Sequence, residues 1–162
     1  MKHRFPLLLM LMGMILLSAC SAFETSAQRE METAQVTLES FFSLLAYGAY
    51  EQAAGIYGGK YDTLLSLNPS IPAEDVAALW RNACQTNGFQ CLEIKNVVSA
   101  SLDGQGFYHF VVEFQNRDGS LLVVNPCCGA SATETPPQSQ FEFIIRRDYG
   151  VFSVANLPVY IP

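Results

Sequence analysis

The chain has 162 residues, half of them apolar, with 15 acidic residues against nine basic ones. This composition predicts a folded domain rather than a disordered chain, and the length allows one domain with a real core. The acidic excess, without a basic cluster, argues against binding to nucleic acid and against electrostatic docking on anionic lipid.

The first residues carry the pattern of a secretory signal peptide. A basic start at residues 2–4 precedes an apolar run over residues 5–17, and small residues follow it. The apolar run is too short for a membrane span, which needs about 20 apolar residues. We therefore expect this segment to direct export.

The end of the apolar run sharpens that expectation. Leu17-Ser18-Ala19-Cys20 resembles the lipobox of bacterial lipoproteins, in which a branched apolar residue and two small residues precede a cysteine. The resemblance implies that the Cys20 thiol receives a diacylglycerol, that the chain is cut before Cys20, and that the new amino group is acylated, for example with palmitate. Several acyl chains, at about 0.8 kcal/mol per buried methylene, anchor a protein permanently. The alternatives are an ordinary signal peptide or an uncleaved signal anchor, with a chance cysteine.

The lipoprotein hypothesis divides the chain into a cleaved signal peptide (1–19), a lipidated Cys20 with a tether (20–28), and a single domain (29–162). Lys2 and Arg4 would leave with the signal, so seven basic residues would face 15 acidic ones, a net charge near −8. The expected location is the cell envelope, on the extracytoplasmic side of a bacterial membrane. Because Ser21 rather than an acidic residue follows Cys20, the outer membrane is favoured if two membranes are present.

Apolar residues at helical spacing predict three helices. The first begins near Glu30, with Glu32 also in its first turn, and ends at Gly48; the second covers about residues 50–57; the third begins at Pro72 and ends at Asn87-Gly88. The segment 60–70 lacks a regular pattern. The predicted buried faces are Met31, Ala34, Leu38, Phe41, Phe42 and Leu45 on the first helix, and Val76, Leu79, Trp80, Ala83 and Cys84 on the third.

From Cys91 the apolar period changes to two, which is typical of strands. Five strands are predicted, at about residues 92–102, 108–114, 121–125, 141–145 and 151–155, with Asp/Gly turns between several of them. On the second strand the even residues 108–114 are apolar and should face the core. Helices followed by an antiparallel meander of four to five strands predict an α+β fold.

The first hairpin allows a prediction of register. A three-residue loop over residues 103–105 places residue 102 opposite 106, 98 opposite 110 and 94 opposite 114. The same register sets Lys95 opposite Glu113, a favourable cross-strand pair of opposite charge.

The element order resembles that of the nuclear transport factor 2-like superfamily. Residues 41–53, FFSLLAYGAYEQA, look like the family's first helix and following turn, and the resemblance covers about residues 30–162. It implies helices packed on a strongly curved antiparallel sheet that forms a cone. Family enzymes that isomerise or dehydrate small cyclic substrates place an Asp or His inside that cone.

Four cysteines would remain in the domain, and thiols outside the cytoplasm tend to be oxidised. Cys84 ends the third helix and Cys91 begins the first strand, so we favour a disulfide between them. Cys127 and Cys128 lie roughly 26 Å along the sheet from Cys91, too far for cross-pairing. They are left as a vicinal disulfide, a redox-active pair, a free pair, or bonds to another chain. The alternative, a four-cysteine zinc site, lacks the usual ligand spacing.

No phosphate loop, nucleophile elbow or metal motif occurs, so no cofactor is expected. His109 and Glu113 share the odd face of the second strand, where we expect solvated side chains; the alternative is a cone-fold enzyme that uses His109 as general base. Trp80 and the tyrosines are expected to belong to the core. The alternative is an open cone, in which Trp80 and Phe110 would line the pocket and Tyr47, Tyr50, Tyr57 and Tyr61 could ring its mouth.

These observations favour a non-catalytic binding module held on the membrane by its lipid. Its partner is either a small apolar molecule in the cone or an envelope protein on the sheet. The first needs an open cavity, whereas the second needs a filled cone and an exposed apolar patch.

Overall fold

A computed structural model of the protein describes residues 5–126 and 136–162, with side chains described from Ser26 onwards. Helices come first and strands follow: α1 (Phe5–Ala46), α2 (Tyr50–Ile56), α3 (Asp62–Leu67), α4 (Val76–Gln85), β1 (Glu93–Leu102), β2 (Tyr108–Gln115), β3 (Phe141–Asp148) and β4 (Val151–Val154). The strands form an antiparallel meander in the order β1-β2-β3-β4. The predicted α+β class, with N-terminal helices packed on a curved meander sheet, is confirmed.

The first helix is much longer than the sequence pattern predicted. It begins at Phe5 rather than near Glu30, so Glu30 and Glu32 lie far inside it. The Leu, Met, Ala, Glu and Gln residues that precede Glu30 are good helix formers, and they extend the helix beyond its amphipathic part. It ends at Ala46, and Gly48 adopts a φ of +76°, which suits glycine. No helix in the described part of the chain combines enough length with enough apolar character to traverse a bilayer.

The later helices differ from prediction at their boundaries. The helix predicted to begin at Pro72 begins at Val76, because the side chain of Asp75 caps it by accepting a hydrogen bond from the backbone N–H of Ala78 at 3.0 Å. The segment that lacked a pattern contains the short helix α3. Six residues without a side-chain cap give too little periodicity to be predicted.

The predicted register of the first hairpin holds only at its open end. Ile94 pairs with Phe114 as predicted, but two irregularities follow, and Ala100 rather than residue 98 faces Phe110. The extra residues are Lys95 and Val98, as in β-bulges, which bend a strand and increase its twist. Leu102 therefore pairs with Tyr108 and not with residue 106.

The bulges also change the polar pairing on β1. Asn96, not Lys95, lies opposite Glu113 and donates a hydrogen bond to its carboxylate at 2.9 Å. Lys95 instead donates to the carbonyl oxygen of Gly119 at 2.7 Å. The predicted Lys95–Glu113 pair is thus wrong, since one inserted residue moves Lys95 out of the paired position.

The third predicted strand is not a strand. Residues 121–125 make only isolated bridges, Leu121 with Gln115 and Val124 with Gln138. β3 pairs directly with β2, so the sheet has four strands in the described part of the chain rather than five.

The core lies between α1 and the inner face of the sheet. Tyr108 at the start of β2 donates a hydrogen bond to Glu30, and Phe114 near its end packs on Phe42 with ring centroids 4.7 Å apart. Between these two contacts α1 advances by twelve residues, about 18 Å, and β2 advances by six residues, about 20 Å. Because the two lengths agree, α1 lies nearly parallel to β2. The fully buried large side chains are Trp80, Phe41, Phe42, Phe110, Phe114, Phe143, Leu38, Leu45, Leu64, Leu79, Ile145 and Val112.

The C-terminal segment, residues 157–162, packs against the chain just before the first strand of the sheet. Tyr160 bridges to Phe89, and the backbone N–H of Gln90 donates to the carbonyl oxygen of Val159 at 2.7 Å. The N–H of Ile161 donates to the carbonyl oxygen of Gly88 at 3.0 Å. Gly88 has a φ of +89°, and a Cβ there would collide with the carbonyl oxygen of Ile161.

This geometry predicts that Gly88→Ala destabilises the fold by at least about 2 kcal/mol, because left-handed backbone and a steric clash are combined. The free energy of unfolding from urea titrations measures the effect. Gly104→Ala is the matched control: Gly104 lies in a turn with nothing within 4 Å of an added Cβ, so its change should stay within about 0.5 kcal/mol. Equal stability of the two variants would show that the C-terminal segment does not pack on Gly88.

Candidate functional site

The favoured cysteine pairing is confirmed. Cys84 and Cys91 form a disulfide with their Cα atoms 5.4 Å apart, which joins the end of α4 to the chain just before β1. This bond removes both thiols from the alternative four-cysteine zinc site. Cys127 and Cys128 lie outside the described residues, so their predicted alternatives stay open.

Trp80 and Phe110 lie in the packed interior. Both are 0% exposed, so neither side chain borders a space large enough for water. The Trp80 ring packs edge-on against Phe41 and Tyr57, at centroid distances of 5.5 and 5.0 Å, and its N–H donates to the Tyr61 hydroxyl at 3.2 Å. The interior is therefore filled at the two residues predicted to line an open pocket.

The four tyrosines that the alternative of an open cone placed around its mouth lie in different surroundings. Tyr57 and Tyr61 pack edge-to-face at 5.2 Å beside Trp80, and burial raises the pKa of Tyr57 to about 12. Tyr50 is buried, and its hydroxyl accepts a hydrogen bond from Gln85. Tyr47 is 75% exposed just after α1. These positions stabilise the helical layer and do not form a ring around an opening.

His109 lies on the outer face of the sheet, as predicted from the alternation of β2, whose even residues are buried. Its Nδ1 atom is 2.8 Å from Glu142 on β3, and its Nε2 atom is 3.2 Å from Asp103 in the β1–β2 turn. Hydrogen bonds to Glu142 and Asp103 raise the pKa of His109. The pKa of Asp103 is lowered, chiefly because its carboxylate accepts the backbone N–H of Phe107 and also pairs with His109.

Glu113 belongs to a separate polar network. Its two carboxylate oxygens accept hydrogen bonds from Asn96 at 2.9 Å and from Gln140 at 3.2 Å, and these bonds lower its pKa. A lowered pKa keeps the carboxylate ionised, and the carboxylates beside His109 favour the protonated imidazole. His109 and Glu113 therefore bind different partners on an exposed face. This arrangement is typical of a solvated sheet surface rather than of an acid–base pair.

One apolar groove opens at the surface between α3 and the C-terminal segment. It has a volume of about 390 Å³ and is lined by Thr63, Ser66, Leu67, Phe89, Leu157, Pro158 and Tyr160. Leu67 is 40% exposed and Tyr160 is 48% exposed, while the rings of Phe89 and Tyr160 pack 5.2 Å apart. We name this feature the α3 groove.

The α3 groove was not predicted from the sequence. Its two walls come from residues about 90 positions apart, and neither wall shows a strong periodic pattern. The run of apolar residues at 157–161 after the last predicted strand is the available signal, because apolar residues near a chain end need a surface to cover them.

Comparison with known proteins returns no match: neither a protein family, nor a curated protein, nor a solved structure is similar to this chain. The functional proposals therefore depend on the sequence pattern and on the geometry of the described residues.

The hydrogen bonds of His109 with Glu142 and Asp103 predict that the stability of the fold depends on pH. A raised pKa means that the folded state binds the proton more tightly, so the stabilisation is present below the ordinary histidine pKa of about 6.5 and is lost as pH rises through the folded-state value. We expect the free energy of unfolding of the wild type to fall, relative to His109→Gln, as the pH rises from below about 6.5 through the raised pKa of His109. Glu142→Gln should reduce the difference. Identical pH profiles for wild type and His109→Gln would contradict the assignment.

Proposed function

We propose that the protein is a lipoprotein, anchored through Cys20 on the extracytoplasmic side of a bacterial membrane, whose domain binds an apolar partner in the α3 groove. The observation that carries the binding role is the contrast between a filled interior and an apolar groove that remains open at the surface. Trp80 and Phe110 have no exposed surface, whereas Leu67 and Tyr160 keep nearly half of theirs.

The dimensions and lining of the α3 groove suit an apolar group. Its volume of about 390 Å³ lies within the range of about 300–1,000 Å³ for ligand pockets. The hydroxyl of Ser66 already donates to the carbonyl oxygen of Thr63 at 2.8 Å, so this polar group is partly satisfied within the wall. Affinity would then come mainly from covering the exposed parts of Leu67 and Tyr160, at about 25 cal/mol per Å² of buried apolar surface.

Between the two binding hypotheses, we favour a protein partner of the cell envelope over a small molecule enclosed in the cone. The enclosed ligand needs a cavity at Trp80 and Phe110, where the side chains are fully buried. An apolar side chain or short apolar segment of another protein needs only an accessible groove. The α3 groove meets that requirement.

The enzyme alternative receives less support. His109 and Glu113 lie on the outer face of β2 and are held by separate hydrogen-bond networks. A general base must reach its substrate within a site that excludes most water, and this face offers a solvated surface instead.

Membership of the nuclear transport factor 2-like superfamily is likewise a proposal. It is supported by the order of elements, helices before a four-stranded antiparallel meander. The β-bulges of β1 add the strand curvature that a cone requires.

The anchor proposal predicts that Cys20→Ser lowers the membrane-bound fraction at least about tenfold, because the acyl chains are lost. Fractionation of membranes and an intact mass of the mature protein measure binding and acylation together. Ser18→Ala is the matched control, since it keeps a small residue before the cysteine and should leave both unchanged. An unacylated wild-type protein, or equal membrane binding of Cys20→Ser, would contradict the proposal.

The groove proposal predicts that Leu67→Glu weakens binding of the neutral apolar dye Nile red at least about tenfold, because a carboxylate would have to be buried beneath the dye. Fluorescence titration of the secreted Cys20→Ser form gives the dissociation constant. Val36→Glu is the matched control: Val36 is 59% exposed on α1, outside the residues that line the groove. Equal effects of the two variants would place the dye elsewhere.

A further inference from the structure

The long helix gives the domain two distinct ends. Glu30 on α1 pairs with Arg147 at 2.8 Å and with Tyr108 at 2.9 Å, at the end of the sheet where β2 begins and β3 finishes. The other end of α1 leads to Tyr47, which shares a surface cavity with Glu93 at the start of β1. Residues before Glu30 therefore extend past the end of the sheet that carries the β1–β2 and β3–β4 turns. We name this the turn end.

The β3–β4 turn presents two exposed apolar side chains at the turn end. Tyr149 is fully exposed, and Val151 is 67% exposed. Tyr149 and Gly150 have φ values of +52° and +86°, the pattern of a two-residue hairpin turn that favours Asn, Asp or Gly at both positions. A tyrosine is unfavourable there for the backbone, so the turn geometry alone does not account for this side chain.

The distances along the helix bring this turn near the lipidation position. Cys20 lies ten residues before Glu30 within α1, a rise of about 15 Å. Tyr149 lies two residues beyond Arg147, the partner of Glu30, and so extends about 7 Å in the same direction plus the length of its own side chain. Tyr149 therefore lies on the same side of the domain as residue 20, where the acyl chains would enter the bilayer.

We propose that the β3–β4 turn is a membrane-docking surface, in which Tyr149, with Val151 beside it, sits in the headgroup layer of the bilayer that holds Cys20. Tyrosine suits this layer because its ring is apolar and its hydroxyl remains hydrated. The docking is not electrostatic: the neighbouring Asp148 and the acidic chain as a whole disfavour anionic lipid. This inference rests on the proposed lipid anchor and extends it, since it fixes the orientation of the domain on the membrane.

The test uses the full lipidated protein reconstituted in phosphatidylcholine and phosphatidylethanolamine vesicles that contain lipid with a nitroxide quencher near the headgroup. Tyr149→Trp introduces an indole at the proposed contact, and Tyr47→Trp introduces one at an exposed position at the opposite end of α1. Trp80, the chain's single tryptophan, is fully buried and gives the same background in both. We expect at least twofold more quenching in Tyr149→Trp than in Tyr47→Trp.

Flotation of the same vesicles distinguishes failure of the anchor from failure of the docking. Flotation together with selective quenching of Tyr149→Trp supports the proposal. Flotation with equal quenching of the two variants, or with no quenching, overturns the docking surface and leaves the anchor intact. A β3–β4 turn that binds a protein instead of the bilayer would give this result. Protein that does not float overturns both, because docking as proposed depends on the lipid at Cys20.

Discussion

The contact between α1 and the inner face of the sheet determines the position of every other feature. One stripe of the helix, from Ala34 to Leu45, is fully buried against the sheet and the shorter helices. The Glu30 carboxylate then sets the position of α1 along the sheet, because it binds Arg147 and Tyr108 at the same time. A slip of one helical turn would separate both partners from Glu30 and move Phe42 away from Phe114.

Aromatic rings fill the interior around Trp80. Phe41, Tyr57 and Trp80 pack edge-to-face and stacked within 6.0 Å of one another, and the polar atom of Trp80 is satisfied by Tyr61. Such packing is dense, and opening a ligand cavity within it would remove several aromatic contacts at about 0.5–1.5 kcal/mol each. An apolar groove remains open instead at the surface, where the C-terminal segment meets α3.

The sequence predicted those parts of the fold that depend on local periodicity. The buried faces of α1 and α4, the inner face of β2 and the Cys84–Cys91 pair all follow from residues close together in the chain. The bulges of β1 were missed because the two inserted residues, Lys95 and Val98, shift the alternation only between them, and Asn96 there could equally be a tolerated polar residue. The groove was missed because the meeting of Gly88 with Ile161 depends on the whole sheet lying between them.

The α3 groove and the β3–β4 turn lie at opposite ends of the domain, and their positions relate the proposed binding of a partner to the proposed docking on the membrane. The α3 groove contains Phe89, which shares a cavity with Asn116 and Arg117 just beyond the end of β2, so the groove lies at the end opposite the β3–β4 turn. A groove at the turn end would be covered by the bilayer once Tyr149 docked. At the opposite end, the groove would stay accessible to an envelope protein while the domain was held at a fixed orientation. In the proposed arrangement, α1 would separate the surface that meets lipid from the surface that meets a partner.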